Sequence, residues 1–143
     1  MNILITGGAG FIGAEMVRRF CARDCNLTVV DRLDFGIPED FEPLIESKVI
    51  DLTPIDLGRS DGFRERLQAG EFDFIVHLAA LTHIPLCESY PLFAYESTVL
   101  STLYLLSNMH VNSRMLTFST SSTYKPDDAY HDESTSELGP IDF

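Results

Sequence analysis

An α/β fold with a doubly wound parallel sheet of about five strands is predicted by three features of the sequence. Strand-like and helix-like segments alternate along the chain. The strand-like segments are short unbroken apolar runs, and a glycine-rich turn joins the first strand to the first helix. Parallel strands need long crossover connections, usually helical, and are buried on both faces, so they read as continuous rather than alternating apolar runs. Strands are expected at about 2–6, 26–31, 47–51, 72–77 and 114–119, and helices at about 11–24, 60–69 and 90–110. The stretch 33–46, with Gly36, Pro38 and Pro43, reads as a loop with one short helical turn, and 125–139 as an acidic exposed loop.

The first strand is the run Ile3-Leu4-Ile5, and Ile12, Met16 and Phe20 then recur at helical spacing. Between them stands Gly7-Gly8-Ala9-Gly10-Phe11-Ile12-Gly13, a Gly-x-x-Gly-x-x-Gly turn. Glycine allows close approach of backbone to a ligand, and a helix N-terminus offers unpaired N–H groups to phosphate oxygens. Gly7, Gly10, Phe11, Ile12 and Gly13 are therefore candidate contacts to a dinucleotide pyrophosphate; an ordinary tight turn is the competing reading. The second strand, Leu27-Thr28-Val29-Val30, ends at Asp31. A carboxylate about 20 residues beyond such a turn accepts hydrogen bonds from a ribose diol and repels a 2′-phosphate, which favours NAD over NADP. Arg32 follows directly and counts the other way.

The chain of 143 residues has room for one domain with a packed core, and its 45% aliphatic and aromatic content argues against disorder. A net charge of −12 repels phosphate backbones and anionic lipids, so neither nucleic acid nor membrane is expected as a partner. No apolar run reaches the length of a membrane span, and the first strand begins at Asn2, which points to a cytoplasmic protein without a signal peptide. Cys21, Cys25 and Cys87 fit a reducing compartment. Cys21 and Cys25 stand four apart with no histidine or third thiol nearby, which argues against a metal site there, and Cys87 reads as a small buried or half-buried side chain.

Two elements point beyond simple packing. The 90–110 helix carries Leu92, Phe93, Val99, Leu100, Leu103, Leu105, Leu106 and Met109, with Glu96 its one acidic residue after Pro91. These do not fit a single stripe, so one face is expected on the sheet and another against a second copy, giving a homodimer; deeper burial within one subunit is the competing reading. In the strand order 3-2-1-4-5 the fifth strand, with Met115, Leu116 and Phe118, is an apolar edge, which natural sheets avoid.

Taken in order, the glycine turn, Asp31, Asp51-Leu52, His77-Leu78-Ala79-Ala80, and Ser119-Thr120 followed by Tyr124 resemble the extended short-chain dehydrogenase/reductases, specifically the NAD-dependent epimerase/dehydratase group acting on nucleotide sugars. The resemblance covers essentially the whole chain and implies a Rossmann fold with NAD as cofactor and a nucleotide sugar as substrate. It implies that Asp51 and Leu52 flank the adenine at the end of the third strand, and that Leu78, Ala79 and Ala80 lie along the cofactor. Thr120 resembles the catalytic hydroxyl that hydrogen-bonds the reacting sugar oxygen, and Thr98 stands in the central helix where the family usually carries Asn. Ser101 and Lys125 replace glycines usual in the family.

The family's general base is a Tyr with a Lys four residues later, the Lys lowering the tyrosine pKa. The only lysines are Lys48 and Lys125, and neither has that spacing. Residues 1–143 therefore read as the N-terminal, NAD-binding part of a nucleotide-sugar epimerase or dehydratase, with the sugar-binding part lying elsewhere. A non-catalytic dinucleotide-binding module, or a remnant lacking the Tyr–Lys base, is the alternative.

Overall fold

The computed structural model describes residues 1–59 and 61–120. Five parallel strands stand in the order β3-β2-β1-β4-β5, the order expected from the sequence. They are β1 (Asn2–Thr6), β2 (Asn26–Asp31), β3 (Ile50–Pro54), β4 (Phe74–His77) and β5 (Arg114–Thr117). β1 is central: Thr6 is in register with Val30 on one side and with His77 on the other, while Asp31 pairs with Pro54. All five strands therefore end along one edge of the sheet.

The helices are α1 (Phe11–Cys21), α2 (Glu42–Glu46), α3 (Arg64–Gln68), α4 (Ile84–Ser89), α5 (Pro91–Tyr95) and α6 (Ser101–Asn108). A π-helical turn, Glu96–Leu100, joins α5 to α6, and a single 3₁₀ turn, Glu39–Phe41, precedes α2. Successive residues of β1 point to opposite faces, which divides the core in two. Ile3 and Ile5 pack with Ala14 and Val17 of α1, with Val29 and with Phe41. Leu4 packs on the other face with Phe63, Leu67 of α3, Phe72 and Leu105 of α6. Helices on both faces make the sheet doubly wound.

The third strand departs from expectation, beginning at Ile50 rather than at 47. After α2, the N–H groups of Ser47, Lys48 and Val49 turn back to the carbonyls of Pro43, Ile45 and Leu44, and Lys48 has a φ of 57°. A left-handed residue inside a backward-bonded turn cannot begin an extended strand. The other elements hold their places with trimmed ends; the expected helices 11–24 and 60–69 stop at Cys21 and shrink to Arg64–Gln68. Among the described residues β5 is the sheet edge, with Leu116 exposed and Phe118 exposed just beyond it. No helix among them is long and apolar enough to cross a membrane.

Candidate functional site

A cleft of about 330 Å³ opens at the carboxyl ends of β1, β2 and β4. This is the topological switch point, where the connections from β1 and toward β4 leave on opposite sides, and open α/β sheets bind ligands there. Gly7, Gly10 and Phe11 line it from the glycine turn, Asp31 and Arg32 from β2, and Leu78, Ala79 and Ala80 from the end of β4.

The turn is built by glycines with separate tasks. Gly7 has a φ of +70°, and a Cβ on it would lie 2.7 Å from the Ala79 nitrogen, so the chain passes directly against β4 only because the side chain is missing. Gly13 does not line the cleft; its Cβ would stand 2.1 Å from the Gly7 carbonyl oxygen, so its smallness seats α1 on the turn. A Cβ on Gly10 meets only the Gly7 oxygen, at 3.2 Å, and otherwise faces open space. No side chain caps α1 and its first turn contains no acid, so its leading N–H groups remain available to an anion. An extended phosphate chain fits this cradle. Ile12 is exposed on α1 and is not brought into the cleft.

Asp31 closes the turn from the other side. One carboxylate oxygen accepts the Ala9 N–H at 3.0 Å and the other accepts the Leu33 N–H at 2.8 Å. Each oxygen has a second lone pair, which leaves acceptor capacity for a diol in the cleft. The Arg32 side chain is mostly covered: Nη1 donates to Ser97 Oγ at 2.7 Å, Nη2 donates to Asp34, and the guanidinium lies 4.1 Å above the Phe93 ring.

Asp51 and Leu52 are not at the site. Because β3 runs from Ile50 to Pro54, Asp51 stands near its beginning, opposite Thr28, and its carboxylate pairs with Arg66 at 2.9 Å. Leu52 packs against the core around Ile3 and Phe41. Five residues later the same dipeptide recurs as Asp56-Leu57, and these two line the cleft. The Ile55 N–H donates to the Asp31 carbonyl and the Gly58 N–H to Asp56 Oδ1, fixing the chain as it leaves the sheet. The Asp31–Pro54 register, rather than the nearest apolar run, distinguishes the pair that lines the cleft from the pair inside the strand.

Thr98 is exposed and outside the cleft lining; its Oγ1 accepts the Leu81 N–H at 3.3 Å. Its neighbour Ser97, and Ser101 one turn on, are buried and line the cleft instead. The π-helical turn places them: a Cβ on Gly58 would be 2.3 Å from the Glu96 carbonyl oxygen, and Arg59 Nε donates to Glu96 at 2.8 Å, so the 55–59 segment is clasped against that turn.

Beneath the cleft floor lies His77, buried between two threonines. The Thr102 hydroxyl donates to the Thr98 carbonyl at 2.6 Å, so it accepts from His77 Nε2–H at 2.9 Å. Nδ1 is then the acceptor of the Thr6 hydroxyl at 2.7 Å, and Thr6 Oγ1 accepts the Ala79 N–H at 3.3 Å. Every proton in this chain has a partner with the imidazole neutral, and burial pushes the His77 pKa below its ordinary value.

Thr120 lies past the end of β5, exposed, and does not line the cleft; Ser121, Ser122, Tyr124 and Lys125 fall outside the described residues. Among the described residues no group of three metal-ligating side chains is gathered, and the three cysteines are unpaired.

A model of the NAD dependent epimerase/dehydratase family matches residues 3–142. UDP-glucose 4-epimerase 3 of Oryza sativa subsp. japonica is 32% identical over 129 residues, covering 85% of this chain and 35% of that protein. Among solved structures, the UDP-Glc/GlcNAc 4-epimerase of Campylobacter jejuni matches 98% of this chain and 43% of its own, with a TM-score of 0.80 at 30% identity. The UDP-glucose 4-epimerase of Thermus thermophilus, solved as a complex with NAD, matches 76% of this chain and 33% of its own, with a TM-score of 0.64 at 29% identity. The chain thus spans between a third and a half of the length of these relatives.

Proposed function

The chain belongs to the NAD-dependent epimerase/dehydratase family, and from that premise we propose that residues 1–143 are the NAD-binding portion of a nucleotide-sugar epimerase. The observation that carries the proposal is the meeting of an uncapped helix N-terminus, an open Gly10 and the Asp31 carboxylate in one cleft at the switch point. In this reading the N–H groups of α1 hold the pyrophosphate, Asp31 accepts from the adenosine ribose hydroxyls, and Asp56 with Leu57 flanks the adenine. Leu78, Ala79 and Ala80 form the wall along the rest of the cofactor, held from below by Thr6 and His77. Bound there, NAD supplies a hydride acceptor for a sugar carbon. Thr120 orients the reacting sugar oxygen, since a hydroxyl both donates and accepts. The UDP-sugar 4-epimerase names of the relatives support epimerisation at C4 over dehydration as the reaction of the whole protein. The sugar-binding part lies in sequence other than these residues.

The same reading includes a cytoplasmic homodimer. Leu92, Tyr95, Val99, Leu103 and Leu106 form an exposed apolar row along the long helix, while Leu105 on its other side is fully buried. A contiguous row of this kind supports contact with a second copy.

Calorimetric titration of the chain with NAD tests the cofactor site. Saturable binding, with unfolding raised by about 2.7 kcal/mol at a hundredfold excess over Kd, is expected. Absence of both heat and stabilisation would overturn the proposal. Conversion of a UDP-hexose to its C4 epimer by the whole protein tests the reaction.

A further inference from the structure

One part of the cleft lining, the end read as the adenosine site, holds three carboxylates, Asp31, Asp34 and Asp56, and one guanidinium, that of Arg32, which pairs with Asp34 and Asp56. An arginine beside the ribose acid is by position the natural receptor for a 2′-phosphate. Here that side chain is engaged on every side. Its Nη1 donates to Ser97 Oγ at 2.7 Å and lies 3.6 Å from Asp56 Oδ2; its Nη2 is bonded to Asp34; its flat face covers the Phe93 ring at 4.1 Å. Ser97 cannot reverse its role, because its own proton is given to the Phe93 carbonyl at 2.7 Å, so its oxygen presents only lone pairs to the guanidinium.

We infer that Arg32 is a strut which the fold withholds from the cofactor, so that the cleft rejects a 2′-phosphorylated dinucleotide through Asp34 and Asp56 as well as through Asp31. The inference rests on the proposal that NAD occupies this cleft. Turning Arg32 toward a 2′-phosphate would break its hydrogen bond to Ser97, its stacking on Phe93 and its pairing with two carboxylates. Both carboxylates would then stand uncompensated beside a dianion; the Asp56 side chain is only 23% exposed, so water screens it weakly. Loss of Asp31 alone leaves the other two carboxylates and the strut in place. The usual single-site switch to NADP therefore fails in this chain, and Arg32 acts by position, tying the end of β2 to α5 and to the π-helical turn.

The test is a set of dissociation constants for NAD and NADP measured calorimetrically, with circular dichroism confirming that each variant is folded. The unaltered chain should bind NAD and hold NADP far more weakly. Asp31→Ser should weaken NAD by about tenfold or more, as expected for loss of hydrogen bonds to a charged acceptor, while NADP gains less than about threefold. Adding Asp34→Ser and Asp56→Asn to that variant should release Arg32 and strengthen NADP by about tenfold or more, in a salt-sensitive manner. A further Arg32→Met should abolish that gain. In the otherwise unaltered chain, Arg32→Met should lower NAD and NADP affinity together and lower the unfolding temperature, because the strut shapes the cleft without touching the phosphate. That second variant remains decisive if the triple variant does not fold. Strong NADP binding by Asp31→Ser alone would overturn the inference, as would an Arg32→Met variant that loses NADP while keeping NAD intact. A chain that binds neither dinucleotide overturns the cofactor reading itself, and this inference with it.

Discussion

Gly10 and Gly13 stand three residues apart in one motif, yet the structure gives their replacement by alanine opposite consequences. A Cβ on Gly13 would lie 2.1 Å from the Gly7 oxygen, 2.6 Å from Gly8 Cα and 2.9 Å from the Gly7 carbonyl carbon, all backbone atoms. Ordinary contact begins at about 3.5 Å, so α1 or the turn must retreat by more than about 1 Å. Neither is free to do so: Ala14 and Val17 anchor the helix in the core, and the Gly7 N–H is bonded to the Val30 carbonyl at 2.8 Å. Overpacking against fixed backbone costs about 3 kcal/mol or more. In a domain of this size that lowers the unfolding temperature by about 10 °C. Gly10 has a φ of −73° in extended backbone and a single neighbour at 3.2 Å, so alanine there costs under about 1 kcal/mol. Its methyl group instead enters the space proposed for the pyrophosphate. Thermal unfolding with and without saturating NAD separates the two: Gly13→Ala should unfold early, and Gly10→Ala should unfold normally but lose the rise that NAD produces. A Gly13→Ala protein as stable as the unaltered chain would refute the packing argument, and a Gly10→Ala protein with the full NAD response would refute the cradle.

Three further outcomes are expected. Asp56→Ala should weaken NAD, whereas Asp51→Ala should leave NAD affinity unchanged and cost less than about 1 kcal/mol, because its ion pair with Arg66 is partly exposed; the reverse pattern in a titration would restore Asp51 to the site. Burial holds the folded-state pKa of His77 below its ordinary value, so the unfolded chain takes up the proton first. Stability should be full above about pH 6.5 and fall as pH drops toward the depressed value, and a His77→Gln variant with the same acid profile in denaturant titrations would assign the loss to other groups. Leu103→Asp should shift the chain from dimer to monomer in sedimentation equilibrium, and a mass of 16.0 kDa for the unaltered chain would remove the dimer from the reading.

Strand order was legible because β1, β2 and β4 are apolar runs with few rivals, and a parallel sheet with a glycine turn after its first strand admits few arrangements. The glycine turn and Asp31 were legible for a related reason: their spacing is set by one strand–helix–strand unit, and both reach the cleft. The Asp-Leu pair that lines the cleft is ambiguous in sequence because Asp-Leu occurs twice within seven residues, and only the cross-strand register distinguishes the copy inside the strand from the copy beyond it. Thr98 follows from the resemblance, which marks one position in the central helix, whereas the cleft is lined by its neighbour Ser97 in the π-helical turn, a local widening that residue spacing does not reveal. Gly13 illustrates a subtler loss: its place in the motif was evident, but whether the missing side chain makes room for a ligand or for the protein's own backbone depends on distances that spacing does not carry.

The π-helical turn at Glu96–Leu100 has a consequence for the whole long helix. From Tyr95 to Leu103, both on the exposed apolar row, is eight residues, and a regular helix would overshoot two full turns by about 80° over that length. The wider turn, bonded from i to i+5, absorbs most of the overshoot and keeps the row in phase. Glu96–Leu100 is thus the place where the helix holds one residue of slack. Deleting a single residue there should let the turn revert to ordinary helix with α5 and α6 still facing as they do, sacrificing only the presentation of Ser97. Deleting one within Thr102–Leu106, where there is no slack, should swing the remainder of α6 by about 100° and drag Asn108 out of the interior.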